Sequence, residues 1–453
     1  MYHDASTYAG PQADPVFAAT MQRQLHTFLR PVGDRLAHLL DIRLVLTALE
    51  VVQAILTHRH TKLGLLLSEL GGYLLGPAHA PAGTKRISNL IHSPGWRADD
   101  IRSILWAEAD ARVQALEAAG EEVLLVWDGS VWEKPESQAS EDWCVVRSAK
   151  ARRLARRRKG LTCPPSGPPI LVPGLHWEGL IVVGMDWGAP TVADLLWWTT
   201  HGPHATTQAA VNQHLLTQAA TTWGTRARHV WDRGYAGSPW VQAALAAGVR
   251  FVVRWKKGNQ LLDNWGDPAK AWQIARGKRS QDYQMLRDPQ TKQLIKVGVV
   301  AIPVTLVDHP HPLWLVVARL GRGREPWYLL TADLIRTTAD AWAVVLAYAR
   351  RWQIEGVWRV SKSELAFESP RVQDWEVRQK LLLLATLAYA FLVHLLAPSL
   401  ADLCARLLRE WCHRTGKRYQ CAALPLYRLR AALSRLWLAA PPPGLHQPGL
   451  NSG

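Results

Sequence analysis

The chain has 453 residues, with 53 Lys and Arg against 37 Asp and Glu, a formal balance of +16. At about 150 residues per domain this length suggests roughly two to four domains, with ample chain for a large core. A hydrophobic content of 48% and a charged content of 20% exclude a disordered or fibrous protein. Arg supplies 39 of the bases and Lys 14. The Arg guanidinium offers a rigid fork of donors suited to phosphate, so the excess points to nucleic acid or another anionic surface. Five cysteines (144, 163, 404, 412 and 421) are too few and too odd in number for a disulfide scaffold. Cys404, Cys412, His413 and Cys421 lack the tight C-x2-C pairing of zinc chelation. The first residues carry Asp4 and Asp14 and no apolar run, which argues against a signal peptide. Leu381–Ala397 approaches membrane length but is broken by Thr386 and His394, so a buried core helix is expected. The class implied is a cytoplasmic, reduced, DNA-facing protein with no membrane span.

Residues 1–120 read as helical, with Leu36–Leu56 and Ala98–Ala119 as long segments with few breakers. Between them an amphipathic run offers Lys85, Arg86, Ser88, Asn89 and His92 on its polar face. Those side chains suit phosphates and base edges, and suit equally an ordinary solvated helix face. From Glu121 the texture changes to short apolar runs of strand length: Val123–Trp127, Leu180–Met185, Arg228–Trp231 and Val249–Trp255. Between the first two, residues 147–159 hold eight bases in thirteen positions, among them Arg152, Arg153 and Arg156. Such a run is a solvated loop of the kind that binds phosphate backbones. A helix within Trp240–Ala247 separates two strands, which implies parallel pairing and an α/β core. Val297–Val307, Leu313–Arg319 and Trp327–Thr331 alternate with turns and read as an antiparallel meander inserted into that core. The segment 251–330 carries 13 bases and 6 acids. Thr337–Asp340 then caps a long helix that is expected to run past Lys362. Further helix fills 376–397 and 399–413, and the Pro-rich tail from Pro441 reads as disordered.

The chemistry concentrates in the helix after Thr338. At 100° per residue, Tyr348, Arg351, Glu355 and Lys362 share one stripe about 60° wide, opposite Leu346, Val357 and Val360. A carboxylate framed by a phenol, a guanidinium and an ammonium can hold a divalent metal beside a phosphate. The same spacing also fits a surface helix laced with ion pairs four residues apart. Two aspartates end apolar runs, Asp128 in Val-Trp-Asp-Gly-Ser and Asp232 in Val-Trp-Asp-Arg-Gly-Tyr. Strand carboxyl ends are where open α/β sheets bind ligands, although Asp-Gly is also a hairpin-turn signal. Asp186 and Asp194 compete with them as single acids.

Tyr348-x2-Arg351-x3-Glu355-x6-Lys362 resembles the YREK signature of cut-and-paste insertion-sequence transposases with a DDE triad, the insertion sequence family four. Asp232-Arg-Gly-Tyr235 resembles the segment around that family's second Asp, and Trp-Asp128-Gly-Ser the segment around its first. Trp327-Tyr-Leu-Leu-Thr331 is similar to the inserted strand that carries a base-stacking Trp. The resemblance covers about residues 85–400.

The resemblance implies an α/β fold: a ribonuclease-H-like core interrupted by an antiparallel β insertion, with helical N- and C-terminal regions. The boundaries that follow are a helical DNA-binding region 1–120, core 121–258, insertion 259–335, core with the Glu helix 336–400, and a helical segment and tail 401–453. Asp128, Asp232 and Glu355 are implied as catalytic ligands of two Mg²⁺ or Mn²⁺ ions. Tyr348, Arg351, Lys362 and Trp327 are implied DNA contacts, alongside Lys85, Arg86, Asn89, Arg152, Arg153 and Arg156. The implied activity is cleavage at the element's ends, hairpin formation and resolution, and strand transfer into target DNA, by a homodimer on DNA in the bacterial nucleoid. A lapsed, regulatory DNA-binding descendant and a metal-dependent nuclease without strand transfer remain open alternatives. Gly356, inside the helix, costs about 1 kcal/mol relative to Ala and suggests close approach by DNA or a neighbouring strand.

Overall fold

The computed structural model describes residues 13–59, 62–135, 140, 142–148, 168–186, 188–287, 293–321, 323–413 and 424–442. Five helices come first: α1 (Pro15–Ala37), α2 (Ile42–Thr57), α3 (Leu67–Leu75), α4 (Ala80–His92) and α5 (Ala98–Ala118). Four strands follow, β1 (Val123–Glu133), β2 (Cys144–Arg147), β3 (Leu171–Gly184) and β4 (Thr191–Trp198), then α6 (Gln208–Trp223). Next come β5 (Ala227–Trp231), α7 (Ser238–Ala246), β6 (Arg250–Arg254), β7 (Gln260–Leu262), β8 (Pro268–Lys270) and the short α8 (Ala271–Ile274). The strands close with β9 (Asp282–Arg287), β10 (Leu294–Leu306), β11 (His309–Arg319) and β12 (Trp327–Thr331). Helices α9 (Thr338–Ala349), α10 (Trp352–Ser363), α11 (Trp375–His394), α12 (Ala401–Trp411) and α13 (Leu426–Ala439) complete the chain.

The chain divides into two compact units, one of Met1–Trp106, Glu136–Ser140 and Val357–Gly453, the other of Ala107–Pro135 and Glu141–Gly356. The first is helical and joins both ends of the sequence, a grouping that the linear reading of separate terminal regions did not foresee. Aspartates start α1, α2 and α11, with the carboxylates of Asp14, Asp41 and Asp374 accepting backbone N–H groups of the first turns. Helix α11 is long and apolar enough to cross a membrane, but 78% of its apolar window is buried inside the protein. It is the core helix that the interrupting Thr386 and His394 suggested.

The second unit is built on one mixed sheet of twelve strands, which makes the architecture α/β. Its path runs β2-β3-β1-β5-β6-β12-β11-β10-β7-β8, with β4 on β3 and β9 on β10. β1, β5 and β6 are mutually parallel, whereas β1–β3, β3–β4 and β6–β12 are antiparallel. The meander β10–β11–β12 is antiparallel, as the turn pattern suggested, and β12 pairs with β6 through Leu329↔Arg254 and Leu330↔Val253. Its strands therefore extend the same sheet.

Two expectations change here. Asp128 does not end a strand or occupy a turn, because β1 continues through it to Glu133, pairing Asp128 with Gly179 and Gly129 with Glu178. Nor is the helix after Thr338 continuous. It stops at Ala349, passes two residues in a turn and resumes at Trp352. The break lies between Tyr348 and Glu355, so the single angular stripe does not hold across it.

β5, which delivers Asp232, is anchored at its other end by charge. Arg228 is 6% exposed and pairs with Glu122 at 2.9 Å and Asp333 at 2.8 Å, and Arg250 joins the same two carboxylates. Removing one partner from such a network strands the others in low dielectric. We expect Arg228→Ala to lower unfolding free energy by about 3–5 kcal/mol, measured by urea denaturation. A loss under ~1 kcal/mol would mean the network is solvated and structurally idle.

Candidate active site

Three elements of the second unit bring acids and bases together. Asp128 lies within β1 with its side chain 20% exposed, and Arg351 Nη1 stands 4.0 Å from its Oδ2. Glu355 lies in the first turn of α10, where its Oε1 accepts from Arg351 Nη2 at 2.9 Å. One guanidinium thus serves a strand aspartate and a helix glutamate. Arg351 sits in the turn between α9 and α10 and also packs over the Trp352 ring, 4.7 Å from its centroid. Burial disfavours its charge, but Tyr348, Asp128 and Glu355 more than offset that and raise its pKa.

Asp232 follows β5 directly and caps the short turn Arg233–Tyr235, its Oδ1 accepting from Gly234 N–H at 2.6 Å. Tyr348 is only 2% exposed. Burial raises its phenol pKa, Arg351 and Arg254 pull it down, Arg254 also hydrogen-bonds to it, and Asp232 lies within electrostatic reach. Asp128, Asp232, Arg351, Glu355 and Tyr348 are therefore neighbours. Among the described residues, however, no three His, Cys, Asp or Glu side chains are close enough to enclose a metal ion. The donors are all hard carboxylate oxygens, the type that Mg²⁺ and Mn²⁺ prefer. Arg351 already pairs with two of them, Glu355 at 2.9 Å and Asp128 at 4.0 Å.

The other expected contacts divide. Trp327 is 8% exposed and packs edge-on against Tyr348, with centroids 5.0 Å apart at 71°. It lines a cavity of about 430 Å³ with Met185, Leu286, Leu346 and Arg350. A ring open to an extruded base was expected, and this one is covered on its face of the sheet by Tyr348 of α9. Lys362 lies on α10 and pairs with Glu368 at 3.8 Å. On α4, Lys85 and Asn89 are exposed, while Arg86 turns inward to Glu50 at 2.6 Å and to the Thr47 hydroxyl. Arg86 is thus a structural ion pair and not a free phosphate ligand. Arg152, Arg153 and Arg156 lie outside the described residues. A Cβ on Gly356 would meet open space, so no neighbouring strand requires glycine there.

Three residues escaped the sequence reading. Arg254 ends β6 after an apolar run, and Tyr235 follows Asp232 by three. The third, Glu178, is fully buried on β3 and accepts a hydrogen bond from the Tyr235 hydroxyl. Its one sequence signal is a charge inside the run Leu-His-Trp-Glu-Gly-Leu-Ile-Val-Val. Burial first, and the charges of Asp128 and Asp232 further, push its pKa up to about 8, although Tyr235 and Gln208 favour the ionised form.

That shift has a consequence for stability. An acid whose pKa is raised on folding binds more protons folded than unfolded between the ordinary value of 4.5 and about 8. Stability from this group is fully present below pH 4.5 and falls as pH rises to about 8, at up to about 1.4 kcal/mol per pH unit. Glu178→Gln should remove this slope, so that the variant gains on the parent as pH rises through this window. Parallel stability–pH curves from denaturant melts at pH 5 to 9 would refute the assignment.

Residues 195–391 match the family model described as the transposase DDE domain. The matched stretch holds Asp232, Trp327, Tyr348, Arg351, Glu355 and Lys362, and begins after Asp128. No curated protein matches the sequence significantly. Among solved structures, a cryo-EM structure of a piggyBac transposase synaptic complex with hairpin DNA is similar at a TM-score of 0.35 and 11% identity, covering 70% of this chain. This chain covers 54% of that protein, about half its length.

Proposed function

We propose that the chain is the DNA transposase of an insertion sequence and that its sheet is a ribonuclease-H-like core. The observation that carries this reading is the shared guanidinium. Arg351 draws together a strand acid and a helix acid, Asp128 and Glu355, beside Asp232, within and next to a segment that matches the transposase DDE domain. Two acids from different elements share this one guanidinium, and Asp232 lies within electrostatic reach of the adjoining Tyr348.

In this reading Asp128, Asp232 and Glu355 would hold two Mg²⁺ or Mn²⁺ ions, which would supply Lewis-acid activation of an oxygen nucleophile and charge stabilisation of the leaving 3′ oxygen. Arg351 balances the carboxylates when DNA is absent and turns its fork to phosphate oxygens when DNA arrives, since both are planar anionic partners. Tyr348 and Arg254 form the wall that keeps Arg351 in place, and Lys362 adds positive charge further along α10. Trp327 takes up an extruded base only if Tyr348 moves off its ring or the base enters from the cavity side. The exposed Lys85 and Asn89, with Arg152, Arg153 and Arg156, hold duplex DNA along its phosphates. Cleavage at the inverted-repeat ends, hairpin formation and opening, and strand transfer are successive in-line displacements at phosphorus, so one constellation serves them all. Two ends handled together call for a homodimer on DNA, acting in the bacterial cytoplasm at the nucleoid.

The test is purified protein with labelled end DNA and Mg²⁺. The parent should yield cut ends and joined strand-transfer products, whereas Asp232→Ala should lose both by at least 10³-fold and still shift the DNA in a gel. Cleavage without joined products would identify a nuclease. Binding without cleavage by the parent would identify a regulator.

A further inference from the structure

A buried carboxyl lies behind the acidic cluster. In an antiparallel pair, directly opposed residues share a face and sequence neighbours alternate. Asp128 opposes Gly179 and Glu178 opposes Gly129, so Glu178 lies on the face of the sheet away from Asp128. It is 0% exposed, and among the described residues no basic side chain pairs with its carboxyl. Burying an acid in this way is costly, and the position would take an apolar residue if packing were its only task.

Its contacts lead to both aspartates. The Tyr235 hydroxyl donates to Oε1, and Tyr235 closes the turn that Asp232 opens. That turn is fixed from within by Gly234 N–H on Asp232 Oδ1 at 2.6 Å. The Tyr235 ring is held beside Trp240 at 5.7 Å and Trp231 at 6.4 Å, so its hydroxyl has little freedom to seek another acceptor. On the other side, a Cβ at residue 129 would come within 3.1 Å of Glu178 Oε2, so Gly129 leaves the space this carboxyl fills, next to Asp128.

We propose that Glu178 is a positioning residue for the cation site, fixing Tyr235 and through it the turn that aims the Asp232 carboxylate. The proposal rests on the reading of Asp232 as a metal ligand. Groups behind a metal ligand orient it, and their loss typically weakens metal affinity by about 10–100-fold. Glu178 needs only a hydrogen-bond acceptor for this, so a carboxamide can replace it.

The experiment is a Mn²⁺ titration of the full chain without DNA, followed by electron paramagnetic resonance of the free ion. Asp232→Ala should lose most of the affinity. Tyr235→Phe and Glu178→Ala should each weaken it by about 10-fold, and the double variant should be no weaker than either single one. Glu178→Gln should bind within about 3-fold of the parent. Tyr235→Phe removes a single oxygen and tests the same link if Glu178→Ala does not fold. Parent-like Mn²⁺ affinity in Tyr235→Phe, or a Glu178→Gln variant as weak as Tyr235→Phe, overturns the positioning role while leaving the metal reading intact. No Mn²⁺ binding by the parent, or no loss in Asp232→Ala, overturns the metal reading and this inference with it.

Discussion

The second unit depends on how acids are kept close without repelling one another apart. The charges of Asp128 and Asp232 raise the cost of ionising Glu178, and Arg351 stands 4.0 Å from Asp128. Its side chain is 9% exposed and bonded to Glu355, so its charge acts in low dielectric, where it is worth several times its value in water. The helix break then follows from a geometric need. A continuous helix would set Tyr348, Arg351 and Glu355 on one stripe with equal exposure. Breaking it at 350–351 lets Tyr348 sink against Trp327 while Arg351 reaches across to β1.

How much of this was legible in the sequence depends on the range of the interaction. The apolar runs gave β5 and β6 nearly to the residue, because a strand buried on both faces leaves a contiguous apolar string. Asp232 was placed at a strand end for the same reason. Asp128 was misplaced because Asp-Gly is a turn signal locally, and only the pairing of Gly129 with Glu178, about fifty residues on, makes it strand. Glycine at 129 reports space for a carboxyl rather than a turn.

The misread side chains share this cause. Arg86 and Lys85 are adjacent, and nothing in their types says which one faces Glu50. Trp327 reads as available from its motif, but the Tyr348 ring, twenty-one residues on in α9, covers it. Glu178 was invisible for a further reason. Its partner is the hydroxyl of Tyr235, a residue that the sequence marks only as the end of the Asp232-Arg-Gly-Tyr235 motif.

The abundance of tryptophan, 23 in the chain, also finds a physical role. Both strand aspartates follow a tryptophan, as Trp127-Asp128 and Trp231-Asp232, and strand alternation sends each ring to the face opposite its aspartate. There Trp127 and Trp231 pack edge-on at 6.0 Å and both meet Trp240, while Trp127 Nε1–H donates to His229 Nδ1 at 3.1 Å. Burial holds that histidine neutral, with a pKa down to about 3, so its Nδ1 remains an acceptor. Tyr235 belongs to the same cluster through Trp231 and Trp240. One aromatic layer therefore grips β1, β5 and the turn after Asp232 together. Large rigid rings lose little entropy on burial, and their contacts fix the relative position of two strands more firmly than aliphatic packing would. The acids on the far face are set by what lies behind them, and Glu178 touches the turn through the Tyr235 hydroxyl.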